Sequence, residues 1–304
     1  MTHEPAPSAL AAEAICDEDE ILAAVAAEAS SANGWAEAGA FYQLSPLYFV
    51  GDSRVIPFRN AVYVSPYTTR AYALRSVHLR SLHAADFYSP ESGINAALTG
   101  ALATDQAMIS HDEGAHWHAT ESDQHAGPGA APLVLFCGPY DVHRVLDELG
   151  PDVDVIPWDE RSERYALTMR PASRLVSADE VLERMLEIMQ PFALGIRALQ
   201  AIGFTRVFVH GSYRSYAIQR FEERFLKVKW LRQYHPNALL KVVTLLDDVL
   251  SRIALDTSSR YVTGPVDADG MLSDEFTYDD VHYNASGASE LARRVVSVLE
   301  GVVE

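Results

Sequence analysis

The sequence predicts an α/β protein built on a parallel sheet, and two observations support this fold class. Short apolar runs alternate along the chain with longer helical patterns, as in units of strand, helix and strand. The apolar runs lack a polar alternation, which is typical of strands buried on both faces of a sheet. Because ligands of such sheets bind where the strands end, we expect functional residues in the turns that follow the runs.

Five apolar runs are predicted strands, and most of them end at turn-forming residues such as Gly, Pro, Asp or Ser. They are Leu47–Val50, Ser76–Leu82, Leu133–Cys137, Arg206–His210 and Arg260–Thr263. Three helices are predicted from apolar residues at helical spacing. They are Ala178–Ile202, with a break or kink near Pro191, then Asn237–Leu255 and Ser286–Val303.

The N-terminal region differs from the rest of the chain. Residues 17–30 place acidic residues ahead of strong helix formers, which predicts a helix with a stabilised N-terminus. We find no boundary for a second domain, so the prediction is an N-terminal extension with a helix over residues 1–45 and one domain over residues 46–304. Residues 110–131 are polar, rich in Gly and His and without periodicity, which predicts a long loop.

The composition is that of a globular chain with a strong acidic excess. Of 304 residues 48% are hydrophobic, and 42 Asp and Glu against 24 Lys and Arg give a formal net charge of −18. Such a charge repels nucleic-acid phosphates and anionic lipids, so we predict no nucleic-acid partner and no membrane partner. Cys16 and Cys137 are too few for a disulfide framework. We expect a soluble, cytoplasmic protein, and the sequence leaves its oligomeric state open, a homo-oligomer included.

The first candidate motif is Gly51-Asp52-Ser53, directly after the first predicted strand. A serine at a strand end exposes its hydroxyl at the sheet edge, and its own amide then points toward a developing negative charge. Gly51 permits the tight turn that this arrangement needs, and Asp52 belongs to the same candidate site. The tripeptide alone also occurs in ordinary turns, so a nucleophile at Ser53 requires a base.

The second motif runs from Asp279 to His282, immediately before the last predicted helix. A serine hydroxyl is a poor nucleophile unless a base removes its proton. A histidine does this near neutral pH when an acceptor holds its other ring nitrogen. Asp279 lies three residues before His282, an offset that lets its carboxylate reach the imidazole, whereas Asp280 is expected to point away. The alternative interpretation is a solvated acidic loop with an incidental histidine.

The third motif is Gly138-Pro139-Tyr140-Asp141, after the predicted strand Leu133–Cys137. Such a loop would position a substrate or donate to an oxyanion, and the alternative is a plain β-turn. The three motifs follow the order that a parallel sheet requires. A nucleophile follows the first strand, a loop follows a middle strand, and a base precedes the last helix.

In these motifs the chain resembles the SGNH/GDSL hydrolases, which have an early strand ending in GDS, a central GxND and a late DxxH. The matching segments are FVGDS at 49–53, FCGPYD at 136–141 and DDVHYN at 279–284, within a resemblance over roughly residues 47–303. It implies a flavodoxin-like three-layer α/β/α sandwich that needs no cofactor. It also implies hydrolysis or transfer of an ester-linked acyl group, with Ser53 as nucleophile and Asp279 and His282 as its partners.

Two departures from the family pattern concern the donors to the oxyanion. The asparagine of GxND, which is such a donor, is replaced by Tyr140, while Asp141 aligns with the aspartate. The family also has a glycine block whose backbone amide serves the oxyanion. The candidates for it are Gly93 and Gly100, with Ser81 equal to them by position. Loss of one oxyanion donor costs about 10²–10³ in rate.

Three further groups of residues are candidates. Ser212 and Tyr213 follow the predicted strand Arg206–His210 and would contact substrate or simply form a loop. Arg54 would bind an anionic part of the substrate or face solvent. The long loop has imidazole and carboxylate groups that suit a metal ion, yet without a second anchored cluster we predict no metal. These loop residues are His111, Asp112, His116, His118 and His125.

The sequence therefore predicts a serine hydrolase that cleaves an ester-linked acyl group from a small or carbohydrate-like molecule through an acyl-enzyme on Ser53. An acyltransferase of the same fold is the alternative among enzymes, because only the acceptor of the acyl group separates the two. A non-catalytic ligand-binding relative is the alternative outside enzymes. Tyr140 favours that binder, whereas the retained Ser53 and His282 argue against it.

Overall fold

A mixed sheet of eight strands forms the centre of the protein. The computed structural model describes residues 44–58, 61–68, 70–79, 82–88, 108–111, 117–119, 131–160, 171–201, 203–213, 233–267, 270–278 and 281–302. The predicted helix at 17–30 and the candidates Ser81, Gly93, Gly100 and Asp279 lie outside these residues.

The sheet contains β1 (Leu44–Gly51), β2 (Ala61–Val64), β3 (Ala71–Leu79), β4 (Met108–His111), β5 (Trp117–Ala119), β6 (Leu133–Leu135), β9 (Val207–His210) and β10 (Arg260–Val262). A separate parallel pair consists of β7 (Val153–Val155) and β8 (Arg174–Val176). The α-helices are α1 (Ala84–Phe87), α2 (Pro139–Leu149), α3 (Ala178–Ala201), α4 (Pro236–Asp256) and α5 (Ala285–Leu299). Two 3-10 helices span Ser53–Phe58 and Asp274–Phe276.

The strand order reverses at β1. Across the sheet the order is β10-β9-β6-β1-β3-β4-β5, and β2 pairs with β3. Among the strands of the described ranges, only β2 and β5 run antiparallel to their neighbours. From β1 the chain moves outward to β3 and β4, then returns to the other side of β1 to form β6, β9 and β10. In open α/β sheets the crevice at such a reversal, beyond the carboxyl ends of the strands, is the usual ligand site. Here that crevice lies beside the ends of β1 and β6.

Helices cover both faces of the sheet. Along β1 the side chains alternate between two hydrophobic clusters. Leu47 and Phe49 pack in the cluster that contains the buried face of α5, whereas Tyr48 and Val50 pack in the one that contains α2, α3 and α4. The predicted α/β class with a mostly parallel sheet is therefore confirmed, and the arrangement is compatible with three layers.

Most predicted elements are found, with shifted ends. The strand predicted at Ser76–Leu82 begins and ends earlier in the chain than predicted. Residues 71–74 pair in register with β1, so β3 begins at Ala71 and ends at Leu79. The helix predicted at Ala178–Ile202 is α3, and it continues through Pro191 without a break.

Two loop predictions are wrong in part. Residues 139–141 form the first turn of α2 because Gly138 precedes it with a φ of 111° and Pro139 takes a first-turn position, where the missing N–H removes no helical hydrogen bond. Within the segment predicted as a long loop, Ser110 and His111 end β4, and residues 117–119 form β5 against it. None of the helices in the described ranges combines the length and apolar character that a membrane crossing needs.

Candidate active site

Ser53 and His282 meet at the carboxyl edge of the sheet, although 229 positions separate them in sequence. The Ser53 Oγ lies 2.8 Å from the His282 Nε2. Both residues are buried, with 8% and 5% of their surface exposed. This is the contact through which an imidazole takes the proton of a serine hydroxyl.

The end of β1 fixes the position of Ser53. Gly51 has a φ of 154°, and a Cβ at this residue would lie 2.3 Å from the Phe136 carbonyl oxygen. The Phe136 amide donates to the Val50 carbonyl at 2.8 Å, which holds the end of β6 against β1. Only a glycine fits this close approach, and the chain then turns into the 3-10 helix that begins at Ser53.

The two residues that flank Ser53 in sequence form a buried ion pair. The Arg54 Nε and Nη2 donate to the two carboxylate oxygens of Asp52, each at 2.8 Å, and the Arg54 amide also donates to Asp52. Burial alone would raise the pKa of Asp52, but the Arg54 charge and hydrogen bonds hold it below its ordinary value. Burial likewise opposes the charge on Arg54, yet Asp52 raises the pKa of the guanidinium.

The burial of Arg54 contradicts the expectation that it faces solvent. The residue is 3% exposed. Its guanidinium carbon lies 5.4 Å from the ring centre of Phe136 and 5.8 Å from that of Tyr213. Arg54 therefore pairs with Asp52 and packs against two aromatic rings, and a contact with an anionic part of the substrate stays a prediction.

The loop that presents His282 is braced by its own neighbours. The His282 carbonyl accepts hydrogen bonds from the Thr277 hydroxyl at 2.9 Å and from the Tyr278 amide at 3.1 Å. Two residues later, the Asn284 side chain accepts from the Gly287 amide at 2.9 Å and caps α5. The general-base candidate therefore lies between a braced turn and a capped helix.

Residues at the end of β9 hold the same loop from the other side. The Tyr213 hydroxyl donates to the Val281 carbonyl. His210 is fully buried, and its Nε2 lies 2.8 Å from the Tyr283 hydroxyl. The His210 ring stacks on Phe136, with centroids 4.1 Å apart and planes 10° apart. The residues on both sides of His282 in sequence are thus tied to one strand end.

His210 and Tyr283 are both uncharged. Burial, followed by the positive charge of Arg54, lowers the pKa of His210 well below its ordinary value. Burial raises the pKa of Tyr283 well above its ordinary value. A neutral imidazole and a neutral phenol therefore share this hydrogen bond.

The Gly138–Asp141 segment joins the loop that follows β3. A carboxylate oxygen of the buried Asp141 accepts from the Ala84 amide at 2.9 Å, and the other lies 3.7 Å from the His83 Nδ1. The Tyr140 ring lies 5.6 Å from the His83 ring. Asp141 therefore positions a neighbouring loop, while a substrate contact for Gly138 or Tyr140 stays a prediction.

The structure brings together some of the predicted residues and adds others. Ser212 is half-buried, and its contact with a substrate stays a prediction. The segment that begins at His210 was expected at this edge of the sheet, whereas sequence reasoning missed His83 and Tyr283 as site residues. The available signal for these two was position, because His83 follows a predicted strand and Tyr283 adjoins His282.

The histidine-rich segment yields no metal centre from what is described. His111 ends β4 and His118 lies in β5, whereas Asp112, His116 and His125 lie outside the described residues. Among the residues that the structure does describe, no group of three or more His, Cys, Asp or Glu side chains could hold a metal ion.

Chemically, the arrangement offers a hydroxyl, a base and an amide. Val55 and Arg54 direct their amides to Asp52. Ser53 is the first residue of the 3-10 helix, so its amide has no acceptor within that helix. A serine hydroxyl on an imidazole, next to such an amide, is suited to attack on an acyl carbon.

Comparisons with known proteins do not identify the chain. No protein-family model matches it, and no curated protein is similar to it in sequence.

Proposed function

We propose that this protein is a serine hydrolase of the SGNH/GDSL type that cleaves an ester-linked acyl group from a small molecule. The observation that carries the proposal is the 2.8 Å contact between the Ser53 Oγ and the His282 Nε2. Its location supports the proposal, since it lies at the strand-order reversal where α/β sheets bind ligands. The burial of both groups favours a small substrate over a macromolecular one.

The strand order supports the fold that the resemblance implies. If the four-residue edge strand β4 is set aside, the parallel strands in chain order are β1, β3, β6, β9 and β10. Across the sheet the order from β3 is β3, β1, β6, β9 and β10, which is 2-1-3-4-5 when these five strands are numbered along the chain. This is the order of flavodoxin-like sheets. We infer a flavodoxin-like three-layer α/β/α sandwich. A cytoplasmic location is part of the same proposal and fits the buried free thiol of Cys137.

The proposed reaction begins with attack of the Ser53 Oγ on the acyl carbon while the His282 Nε2 takes the hydroxyl proton. The C–O bond to the alcohol then breaks, and the imidazolium gives its proton to the leaving oxygen. Water, deprotonated by the same imidazole, hydrolyses the acyl-enzyme and regenerates Ser53. Asp279 is the proposed partner that orients the imidazole and stabilises its protonated form.

The amide of Ser53 is the proposed donor to the oxyanion that forms during attack. The first turn of the 3-10 helix supports this assignment, because the Arg54 and Val55 amides are used by Asp52 and the Ser53 amide has no partner inside the helix. A second donor is needed for a full oxyanion hole.

The proposal predicts that hydrolysis of p-nitrophenyl acetate depends on the serine, the histidine and the aspartate. Ser53→Ala and His282→Ala should each lower kcat/KM by at least about 10³, because each removes a member of a unit that acts together. Asp279→Asn should lower it by about 10⁴ through the wrong imidazole tautomer.

Two matched variants serve as controls for this assay. Ser297→Ala removes another buried serine, whose hydroxyl donates to the Arg294 carbonyl within α5, and it should leave kcat/KM within about threefold. Asp280→Asn, next to Asp279, should do the same. Equal hydrolysis by wild type and Ser53→Ala would refute the proposed function.

A further inference from the structure

The loops after β3 and β6 meet each other at the end of β1. In the sheet β1 lies between these two strands, with Gly51 in register with His78 of β3 and Val50 in register with Leu135 of β6. The loops contact through the hydrogen bond from the Ala84 amide to Asp141. They therefore pass close to the carboxyl end of β1, where Ser53 is located.

Ser53 and the two loops approach this edge from opposite faces of the sheet. The 3-10 helix that begins at Ser53 packs Val55 and Phe58 with α5. Ala84 and Phe87, which follow the β3 loop, pack with α2 and α3 on the other face. A carbonyl group above the end of β1 would have Ser53 and His282 on one side and the β3 and β6 loops on the other.

His83 is the ionisable residue that the β3 loop contributes to this edge. Its Nδ1 lies 3.7 Å from the Asp141 Oδ1, which is within the range of an ion pair but too long for a hydrogen bond. Asp141 is 1% exposed. The His83 side chain itself is 45% exposed. The ring therefore has Nδ1 directed at a buried carboxylate, and nearly half of the side chain is open to a ligand at this edge.

We propose that His83 is a further catalytic residue, whose Nε2–H donates a hydrogen bond to the acyl oxygen of the substrate as Ser53 attacks. The inference rests on the proposed function and supplies the second donor that the oxyanion requires. An imidazolium opposite the nucleophile stabilises the developing negative charge directly.

The tautomer that Asp141 selects makes this role depend on pH. When His83 loses one proton, the remaining one stays on Nδ1 facing the carboxylate, so Nε2 becomes a bare acceptor that repels an oxyanion. The contact with Asp141 raises the pKa of His83, and burial of the ring opposes this rise. The charge of Asp86 in α1 adds to the rise, whereas the charge of Arg144 in α2 opposes it. The Tyr140 ring also faces His83.

A pH limit follows from this role. Hydrolysis falls at alkaline pH when His83 loses its Nε2 proton. The alkaline limb of the kcat/KM profile therefore belongs to His83.

The test measures kcat/KM and kcat of p-nitrophenyl acetate hydrolysis against pH in the wild type and in His83→Ala, His83→Gln, Asp141→Asn and His143→Gln. His83→Ala should lower kcat by about 10²–10³, as for loss of an oxyanion donor. His83→Gln keeps an N–H donor near the Nε2 position, so it should recover activity to within about tenfold of wild type and lack the alkaline limb. Asp141→Asn should move that limb to lower pH. His143→Gln is the control. His143 lies near His83, but burial lowers the pKa of His143, so its ring carries no charge on the alkaline side and its loss should leave the limb in place.

Labelling of Ser53 by a fluorophosphonate, measured on every variant, separates this inference from the proposed function. If Ser53 is labelled and hydrolyses the ester, but His83→Ala stays within about threefold of wild type or His83→Gln retains the alkaline limb, His83 is not a donor and only this inference fails. If wild-type Ser53 is neither labelled nor active, both proposals fail.

Discussion

Arg54 adjoins Ser53, yet its guanidinium is enclosed by Asp52, Phe136 and Tyr213. In a buried ion pair of this kind, the attraction between the two charges roughly balances the cost of removing them from water. The pair as a whole therefore contributes little net stability. Removal of one partner is different, because the remaining charge is then buried without compensation.

We predict that Arg54→Met lowers the free energy of unfolding by about 3–5 kcal/mol, since it leaves the Asp52 carboxylate unpaired. The double variant with Asp52→Asn should recover part of that loss. Urea unfolding of both variants gives the measurement. Arg184→Met is the control, because Arg184 pairs with Glu148 and Glu187 in solvent, where ion pairs contribute about 0–1 kcal/mol. If Arg54→Met lowered the free energy of unfolding as little as the control does, the buried Asp52 carboxylate would not need Arg54 as its partner.

The contrast between Ser53 and Arg54 shows which residue roles the sequence can predict. Ser53 and His282 could be paired because each follows or precedes a regular element at a place where a parallel sheet brings loops together. The burial of Arg54 could not be predicted, because it depends on the rings of Phe136 and Tyr213, which come from the ends of two other strands. For the same reason, the sequence did not predict the contact of His83 with Asp141, because these residues come from two loops that are far apart along the chain.

At the scale of elements, the approach of β6 to β1 depends on Gly51. A side chain there would meet the Phe136 backbone, whose amide is bonded to Val50. The position therefore couples strand packing to the placement of Ser53 two residues later.

Gly51→Ala and Gly150→Ala separate this close contact from backbone strain. Gly150, after α2, has a φ of 96°, but a Cβ there would meet no atom within 4 Å. Gly150→Ala should cost about 1–3 kcal/mol from the unusual backbone conformation alone. Gly51→Ala should cost about 1–3 kcal/mol more through overpacking, and it should also reduce ester hydrolysis. Equal costs in urea unfolding would contradict the packing argument.

The apolar runs predicted the central strands because burial on both faces leaves a strong signal. The helix α2 was missed because Gly138 and Pro139 are equally common in a turn and at a helix start. The strand β5 was missed because residues 117–119 have no apolar run, and β4 supplies their pairing. Tertiary contacts determine whether these segments form a helix or a strand, and the short-range sequence pattern does not predict those contacts.

For the whole molecule, histidines with shifted pKa values make stability depend on pH, and the buried His210 and the half-exposed His83 act in opposite directions. The pKa of His210 is well below its ordinary value in the folded protein. Below about pH 6.5 the unfolded chain therefore binds a proton that the folded chain does not, and stability falls by up to about 1.4 kcal/mol per pH unit. The raised pKa of His83 has the opposite sign and adds stability in acid. Asp52, whose folded pKa is lowered, loses its contribution only below about pH 4.

We predict that the free energy of unfolding of the wild type falls between about pH 7 and about pH 5. In His210→Gln this fall should be smaller, and in His83→Gln it should be larger. Urea unfolding at several pH values in this range measures all three slopes. A slope for His210→Gln equal to or steeper than that of the wild type would contradict a buried, neutral His210.

Labelling with a fluorophosphonate probe, followed by peptide mass mapping, asks directly whether His282 activates Ser53 as a nucleophile. We predict one adduct, on Ser53, that forms in the wild type and is nearly abolished in His282→Ala, while Ser297→Ala labels normally. An adduct on another serine, or labelling of Ser53 at an equal rate without His282, would contradict it.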